Sequence, residues 1–160
     1  IESFLTPRVD AVLPIQSVNV EIAGLPTDVF GSRDHGTYRD NWTFLDASDG
    51  AWDAVADGRG ILINEQLARR TGLWTNSDVT LGGTTLSVFG IYGDYGNPIG
   101  QAIISEHLFA DLYPTVKPAR SNTFWLAGTG PIPMTRGATP AADMPTIRAI
   151  GVKPEGQTTA

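Results

Sequence analysis

Ser105, His107 and Asp111 are the residue types of a hydrolytic triad and lie close together in the chain. On a helix capped at Ser105, however, Ser105 and His107 stand two positions apart and point to different faces, so the serine cannot pass its proton to the histidine. No Gly-x-Ser-x-Gly elbow offers another serine nucleophile, which leaves a capping serine and a surface histidine. Asp34, His35 and His107 are the metal-like residues, yet two histidines without a local pair such as His-Glu-x-x-His fall short of a ligand set. Cysteine is absent, which removes disulfides, thiolate metal sites and a cysteine nucleophile. The stretch Gly93 to Gly100 is glycine-rich but lacks the Lys-Ser/Thr of a phosphate loop, and Gln101 opens a strand rather than a helix. Gly58-Arg59-Gly60 is too short for a dinucleotide fingerprint, and Asn41-Trp42-Thr43 matches a glycosylation sequon that is common by chance. These residues predict no catalytic group, no metal and no cofactor.

The unusual cluster is Asp94-Tyr95-Gly96-Asn97-Pro98, where a carboxylate, a phenol and an amide converge on a rigid turn between two strands. Asp94 and Asn97 could hydrogen-bond their own backbone to hold the turn. The other reading makes Asp94, Tyr95 and Asn97 a contact surface for a partner or substrate, because rigid scaffolds usually present function on loops. Both readings stand at the level of sequence.

The chain around this loop has 160 residues, 41% hydrophobic and 18% charged, which suits one domain with a proper core. Lys plus Arg total 11 against 17 for Asp plus Glu, a formal charge of −6, and no basic cluster is present to neutralise phosphates. Nucleic acid is excluded as an expected partner. Apolar runs are short, such as Gly60 to Ile63, far below the roughly 20 residues of a membrane span. With Ile1-Glu2-Ser3 at its start and no signal-peptide pattern, the sequence reads as a piece of a longer protein.

The loop must be positioned by regular elements. Val18, Val20 and Ile22 alternate with Asn19 and Glu21, predicting a strand between Ala11 and Phe30, with a turn at Gly24-Leu25-Pro26 and Thr27 to Gly31 returning as its hairpin partner. Ser32 to Asp46 has no clear period and is expected to be a structured loop pinned by Tyr38, Trp42 and Phe44. Ser48 or Asp49 is expected to cap a short helix ending near Ala56, with Ala51, Trp52 and Val55 on one face. Gly60 to Ile63 predicts a buried strand, and Asn64 caps a helix over Glu65 to Thr71 that Gly72 ends in the left-handed conformation. Val79 to Leu81 and Thr84 to Tyr92 form a hairpin about Gly82-Gly83. Gln101 to Ile104 is a strand, and Ser105 caps a helix that Pro114 stops. Further strands are expected over Ser121 to Leu126 and Thr146 to Val152, with Gly128 to Asp143 as a long Gly/Pro/Ala/Thr-rich loop. The fold class is α+β, a mixed, mainly antiparallel sheet carrying several short helices.

Three blocks of this sequence carry a family resemblance: Trp52 to Gly60, then Gly60-Ile-Leu-Ile-Asn-Glu-Gln-Leu-Ala-Arg-Arg-Thr-Gly-Leu73, then Val88-Phe-Gly-Ile-Tyr-Gly-Asp-Tyr-Gly96. In order and spacing they resemble the extracytoplasmic domain of FtsX-like ABC transporter permeases, the group that includes MacB, LolC and LolE. The resemblance covers about residues 11 to 125, while residues 128 to 160 match nothing in the family. The expected organisation is an FtsX/MacB-like domain over residues 1–127, with 128–160 read from its composition as a Gly/Pro/Ala-rich extension of the same domain with an expected final strand. Asn76-Ser77-Asp78 replaces the family's usual Gly-Asp pair, so a different turn is expected there. The resemblance further implies a non-catalytic, MacB-like periplasmic core domain on the outer side of a bacterial inner membrane. Its partners would be a separate cytoplasmic ATPase acting through the parent permease and a second periplasmic domain or permease copy. A periplasmic partner, or a lipid, lipoprotein or hydrophobic substrate, completes the expectation. A freestanding periplasmic or secreted ligand-binding module is the alternative.

Overall fold

The computed structural model describes residues 11–94, 97–116, 123–127 and 147–149. These belong to two units, Gln16–Lys117 and the paired segments Ile1–Ile15 and Pro118–Ala160.

The larger unit is α+β. Its strands are β1 (Ala11–Ile22, from residue 16 onward), β2 (Leu25–Ser32), β3 (Phe44–Ala47), β4 (Gly60–Asn64), β5 (Asp78–Leu81), β6 (Thr84–Tyr92) and β7 (Gly100–Ser105). Its described helices are α1 (Gly36–Asn41), α2 (Ala51–Ala56), α3 (Glu65–Thr71) and α4 (Glu106–Leu112). The strands follow the order β3-β6-β4-β7-β2-β1, with β5 also on β6. Pairing is parallel for β2 with β7 and β4 with β6, and antiparallel for β3 with β6, β5 with β6 and β4 with β7. This is the mixed sheet expected from the sequence.

β4 lies inside the sheet and is buried along its whole length, which is why it reads as a continuous apolar run instead of an alternating one. One face of the sheet carries the main core, where Val29, Ile61, Ile63, Ala102 and Ile104 meet Leu67 and Ala68 of α3 and Phe109 of α4. Helix α4 closes on β2 because Gly31 has no side chain: a Cβ added there would stand 2.6 Å from Cβ of Phe109. Residues of alternate parity serve the other face, where α2 buries Ala51, Trp52, Ala54 and Val55.

A β-bulge decides which face receives Tyr92. Ile61 pairs with Val88 but Leu62 pairs with Gly90, so Phe89 is an extra residue in β6. A one-residue insertion reverses the inside-outside alternation downstream of it. Tyr92 therefore leaves the main core and joins the aromatic side chains around α2.

Several local expectations change. The first hairpin turns at Ala23-Gly24 (φ 49° and 80°), one position before the predicted turn, and β2 already begins at Leu25. Ser32 to Asp46 is not all loop, since it contains α1 and β3. The helix was hidden because it is six residues long and is capped by a histidine: Nδ1 of His35 accepts the N–H of Thr37 at 3.1 Å. Neither Ser48 nor Asp49 caps α2, whose N-cap is Gly50 at φ 69° without a side-chain bond. Ser48 instead donates its backbone N–H to the carbonyl of Phe89 at 2.9 Å. The Asn76-Ser77-Asp78 turn places Asn76 at φ 69° and is pinned to β6 by Asn76 N–H to Val88 O and Val88 N–H to Ser77 O, both 2.8 Å.

In the smaller unit, residues 11–15 of β1 pair antiparallel with β8 (Thr123–Ala127), which pairs in parallel with β9 (Ile147–Ala149). The predicted loop over 128–143 lies outside the described residues, as does most of the extension beyond it. Among the described residues no helix is long and apolar enough to cross a membrane.

Candidate functional site

The β6–β7 loop is anchored from beneath by Asn64, the last residue of β4 and the N-cap of α3. Asn64 is fully buried, so its amide must find partners within the protein. Its Oδ1 accepts the N–H of Leu67 at 3.0 Å and that of Gln101 at 2.9 Å, while Nδ2 donates to the carbonyl of Ile99 at 3.0 Å. The second amide hydrogen reaches Oδ2 of Asp94 at 3.5 Å, which uses the last hydrogen-bonding position of the group. Arg70 of α3 adds a bond to the carbonyl of Pro98 at 3.2 Å. Loop, strand and helix are thus tied together at one residue.

Asn97 holds its own turn, its Oδ1 accepting the N–H of Ile99 at 3.1 Å. Asp94 instead faces Asn64, and Tyr95 lies outside the described residues. Of the three loop residues named from sequence, the structure places Asp94 and Asn97 on the same anchored loop. Of these two, Asp94 lines a cleft.

That cleft, of about 480 Å³, is bounded by Asn41, Trp42, Thr43 and Leu45 on one side and by Tyr92, Gly93, Asp94 and Gln101 on the other. Its floor belongs to an aromatic cluster. Trp42 meets Tyr92 edge-on at 5.4 Å between centroids and Trp52 at 6.0 Å, and Tyr38 stacks on Trp52 at 6.0 Å with 19° between planes. Edge-to-face pairs of this kind fix ring orientation as well as burying area. Burial drives the Tyr92 hydroxyl well above the ordinary phenol range, with the nearby charge of Asp94 adding to the effect, so it stays protonated and donates to Oε1 of Gln101 at 3.4 Å. Tyr38 is pushed up to about 12, also by burial.

Helix α1, which carries Asn41 and leads into Trp42, is secured by Arg39. Its guanidinium grips both oxygens of Asp34 at 2.7 and 2.9 Å and reaches Asp53 of α2 at 2.8 Å. The hydrogen bond from Arg39 holds the Asp34 carboxyl below its usual range.

Ser105 and His35, named for enzyme chemistry, accept backbone N–H groups at helix starts. Oγ of Ser105 accepts the N–H of Leu108 at 3.2 Å as a helix cap, and His107 is exposed. Asp34 and His35 are taken up by Arg39 and by the start of α1. Among the described residues no three metal-ligating side chains group together. Asn64 was legible only as a helix cap, and Gln101 only as the start of a strand. Their union is not a local sequence signal, because it depends on β4 and β7 pairing.

No protein-family model matches the chain, and no curated protein does. The solved structures similar to it include two extracytoplasmic regions of transporters and a domain of a permease protein. One is the extracellular domain of the noncanonic ABC-type transporter YknZ from Gram-positive bacteria, with 17% identity and a TM-score of 0.49 over 68% of this chain and 60% of that one. Another is the periplasmic region of MacB from Actinobacillus actinomycetemcomitans, with 9% identity and a TM-score of 0.49 over 69% of this chain and 56% of that one. A third is a domain of a permease protein from Porphyromonas gingivalis, with 13% identity and a TM-score of 0.46 over 63% and 48% of the two chains. The chain spans between about half and three fifths of the length of these structures.

Proposed function

We propose that this chain is a non-catalytic extracytoplasmic domain of an FtsX-like, MacB-type ABC transporter permease. The observation that carries the reading is the way Asn64 joins the two sequence blocks that bear the family resemblance. Gly60 to Leu73 forms β4 and α3, Val88 to Asp94 forms the end of β6 and the start of the loop after it, and the two blocks meet where Asn64 lies beside Tyr92 in the parallel β4–β6 pair and donates to Asp94 at 3.5 Å. Blocks that resemble the family in order also form one hydrogen-bonded unit, which supports treating the likeness as structural. A domain that works by being moved needs rigid packing and presented surfaces more than tuned titrating groups.

In this reading the domain stands on the outer side of the inner membrane. Its motion is driven by a separate cytoplasmic ATPase through the membrane helices of the parent permease. Asp94, Tyr95 and Asn97 then form a contact surface for a second extracytoplasmic domain, a periplasmic partner or a lipidic or lipoprotein substrate. The ligand-binding-module alternative draws its support from the cleft beside Asp94.

The absence of native cysteine in this segment permits a direct test. Ile99 is 42% exposed at the loop, so Ile99→Cys in the full-length parent, stripped of any cysteines of its own, accepts a maleimide reagent that cannot cross membranes. Labelling in unbroken spheroplasts is expected, with a rate that changes when the ATPase is disabled. Labelling only after lysis overturns the extracytoplasmic placement, and a rate indifferent to the ATPase overturns the coupling.

A further inference from the structure

The cleft between α1–β3 and the β6–β7 loop carries a carboxylate that no cationic side chain balances among the described residues lining it. Among the described residues its lining includes one carboxylate, Asp94, and no lysine, arginine or histidine. Of the arginines on neighbouring helices, Arg39 is paired with Asp34 and Asp53, and Arg70 bonds to the carbonyl of Pro98 and does not line the cleft. Among the described residues Asp94 has a single side-chain partner, the long 3.5 Å contact from Asn64. Trp42 supplies an aromatic wall and Leu45, half exposed at 50%, an apolar rim. Two amides offer further polar atoms. Oε1 of Gln101 accepts from Tyr92, and Nδ2 of Asn41 donates to Thr37 O, which leaves Nε2 of Gln101 and Oδ1 of Asn41 without partners among the described residues.

We propose that this cleft binds an organic cation, an ammonium or guanidinium group on an apolar stem, with Asp94 as its counter-ion and Trp42 as its aromatic wall. The ring quadrupole and the carboxylate both favour positive charge. The apolar rim suits the methylene stem such a group carries, as lysine and arginine stems lie along apolar surfaces elsewhere. Anions are disfavoured, because Asp94 repels them and no cationic side chain lines the cleft among the described residues. The volume falls within the range of small-ligand pockets, about 300–1,000 Å³. This inference stands apart from the permease reading, because the 160-residue chain alone suffices to test it.

The experiment is a titration of the chain with argininamide, butylammonium, glucose and butyrate, followed by NMR at the Trp42 indole N–H and the Gln101 side-chain amide. Both signals are expected to move with the cations and not with glucose or butyrate. Asp94→Asn is expected to weaken the response about tenfold or more, in line with loss of a charge contact. A response to argininamide alone supports the proposal and points to a basic peptide side chain, whereas a response to both cations supports it and admits small amines. An equal response to glucose, a silent titration with both cations, or an unchanged affinity in Asp94→Asn overturns it. Should Asp94→Asn fail to fold, the comparison of cations with glucose on the unaltered chain decides.

Discussion

Asn64 and Gln101 are joined by a hydrogen bond from the backbone N–H of Gln101 to Oδ1 of Asn64 at 2.9 Å, and the same oxygen accepts the N–H of Leu67 in the first turn of α3. One acceptor therefore serves a helix cap and a neighbouring strand at once. The consequence is that α3 and the β6–β7 loop cannot loosen independently.

Replacing Asn64 with alanine is expected to cost more than an ordinary cap. The lost cap contributes about 1 kcal/mol. The Gln101 N–H and Ile99 carbonyl are left unpaired beside a buried site, adding about 1–3 kcal/mol. Urea unfolding should show Asn64→Ala destabilised by about 2–4 kcal/mol. Asn64→Asp keeps the acceptor, loses the donor to Ile99 and sets a second carboxylate toward Asp94, so its deficit should grow as pH rises through the carboxylate range. An Asn64→Ala loss matching that of an exposed cap would show that the link to the loop contributes nothing.

How much of this was legible follows from how local each signal is. Asn64 as cap, Gly72 as terminator at φ 76° and the Gly82-Gly83 turn are each encoded within a few residues, and all three occur as read. Helix α1 was not legible, because its cap is His35 and it runs for only six residues. The bulge at Phe89 was also hidden, since nothing in Val88-Phe89-Gly90 marks which residue lacks a partner until β4 lies beside it. The cleft was out of reach for the same reason, as its walls lie about fifty residues apart in sequence and meet only through β3 pairing with β6. Asp94, by contrast, was singled out from loop chemistry alone.

Gly31 provides a test of the packing between α4 and β2. A methyl group there would stand 2.6 Å from Cβ and 2.7 Å from Cγ of Phe109, which is fully buried. The Cβ contact is fixed by the helix backbone, so rotating the Phe109 ring cannot relieve it. Gly31→Ala should lose about 1–3 kcal/mol, the usual cost of overpacking. Phe109→Ala, which keeps Cβ, should fail to rescue it. Stabilities measured for both single variants and the double variant decide: full rescue would mean that the ring, not the helix position, limits the approach.

The first hairpin carries a removable strain. Ala23 sits at φ 49°, a conformation its Cβ disfavours by about 1–2 kcal/mol, while Gly24 at 80° adopts its angle freely. Asn-Gly is the pair that two-residue turns with positive φ prefer. Ala23→Asn should therefore stabilise the protein by about 0.5–1 kcal/mol, seen as a raised urea midpoint with an unchanged slope. Destabilisation by the same change would mean that Ala23 makes a contact worth more than its strain.

Tyr38 links the aromatic cluster to an alkaline transition. The residue is 4% exposed, its hydroxyl is buried without a hydrogen-bond partner among the described residues, and burial pushes its pKa up to about 12. In the unfolded chain the phenol ionises near 10, so the folded-state value is raised. The resulting stability is fully present below about pH 10 and is lost as pH rises from there through about 12, because the unfolded chain releases the proton first. A gap of this size corresponds to about 3 kcal/mol. Tyr38→Phe removes both the titration and the unpaired hydroxyl, so it should be as stable as the parent or slightly more stable at pH 7. Its stability should also fall less steeply above pH 10. Urea unfolding at intervals from pH 8 to 12 tests the sign, and parallel curves for the two proteins would exclude Tyr38 as a source of the alkaline loss.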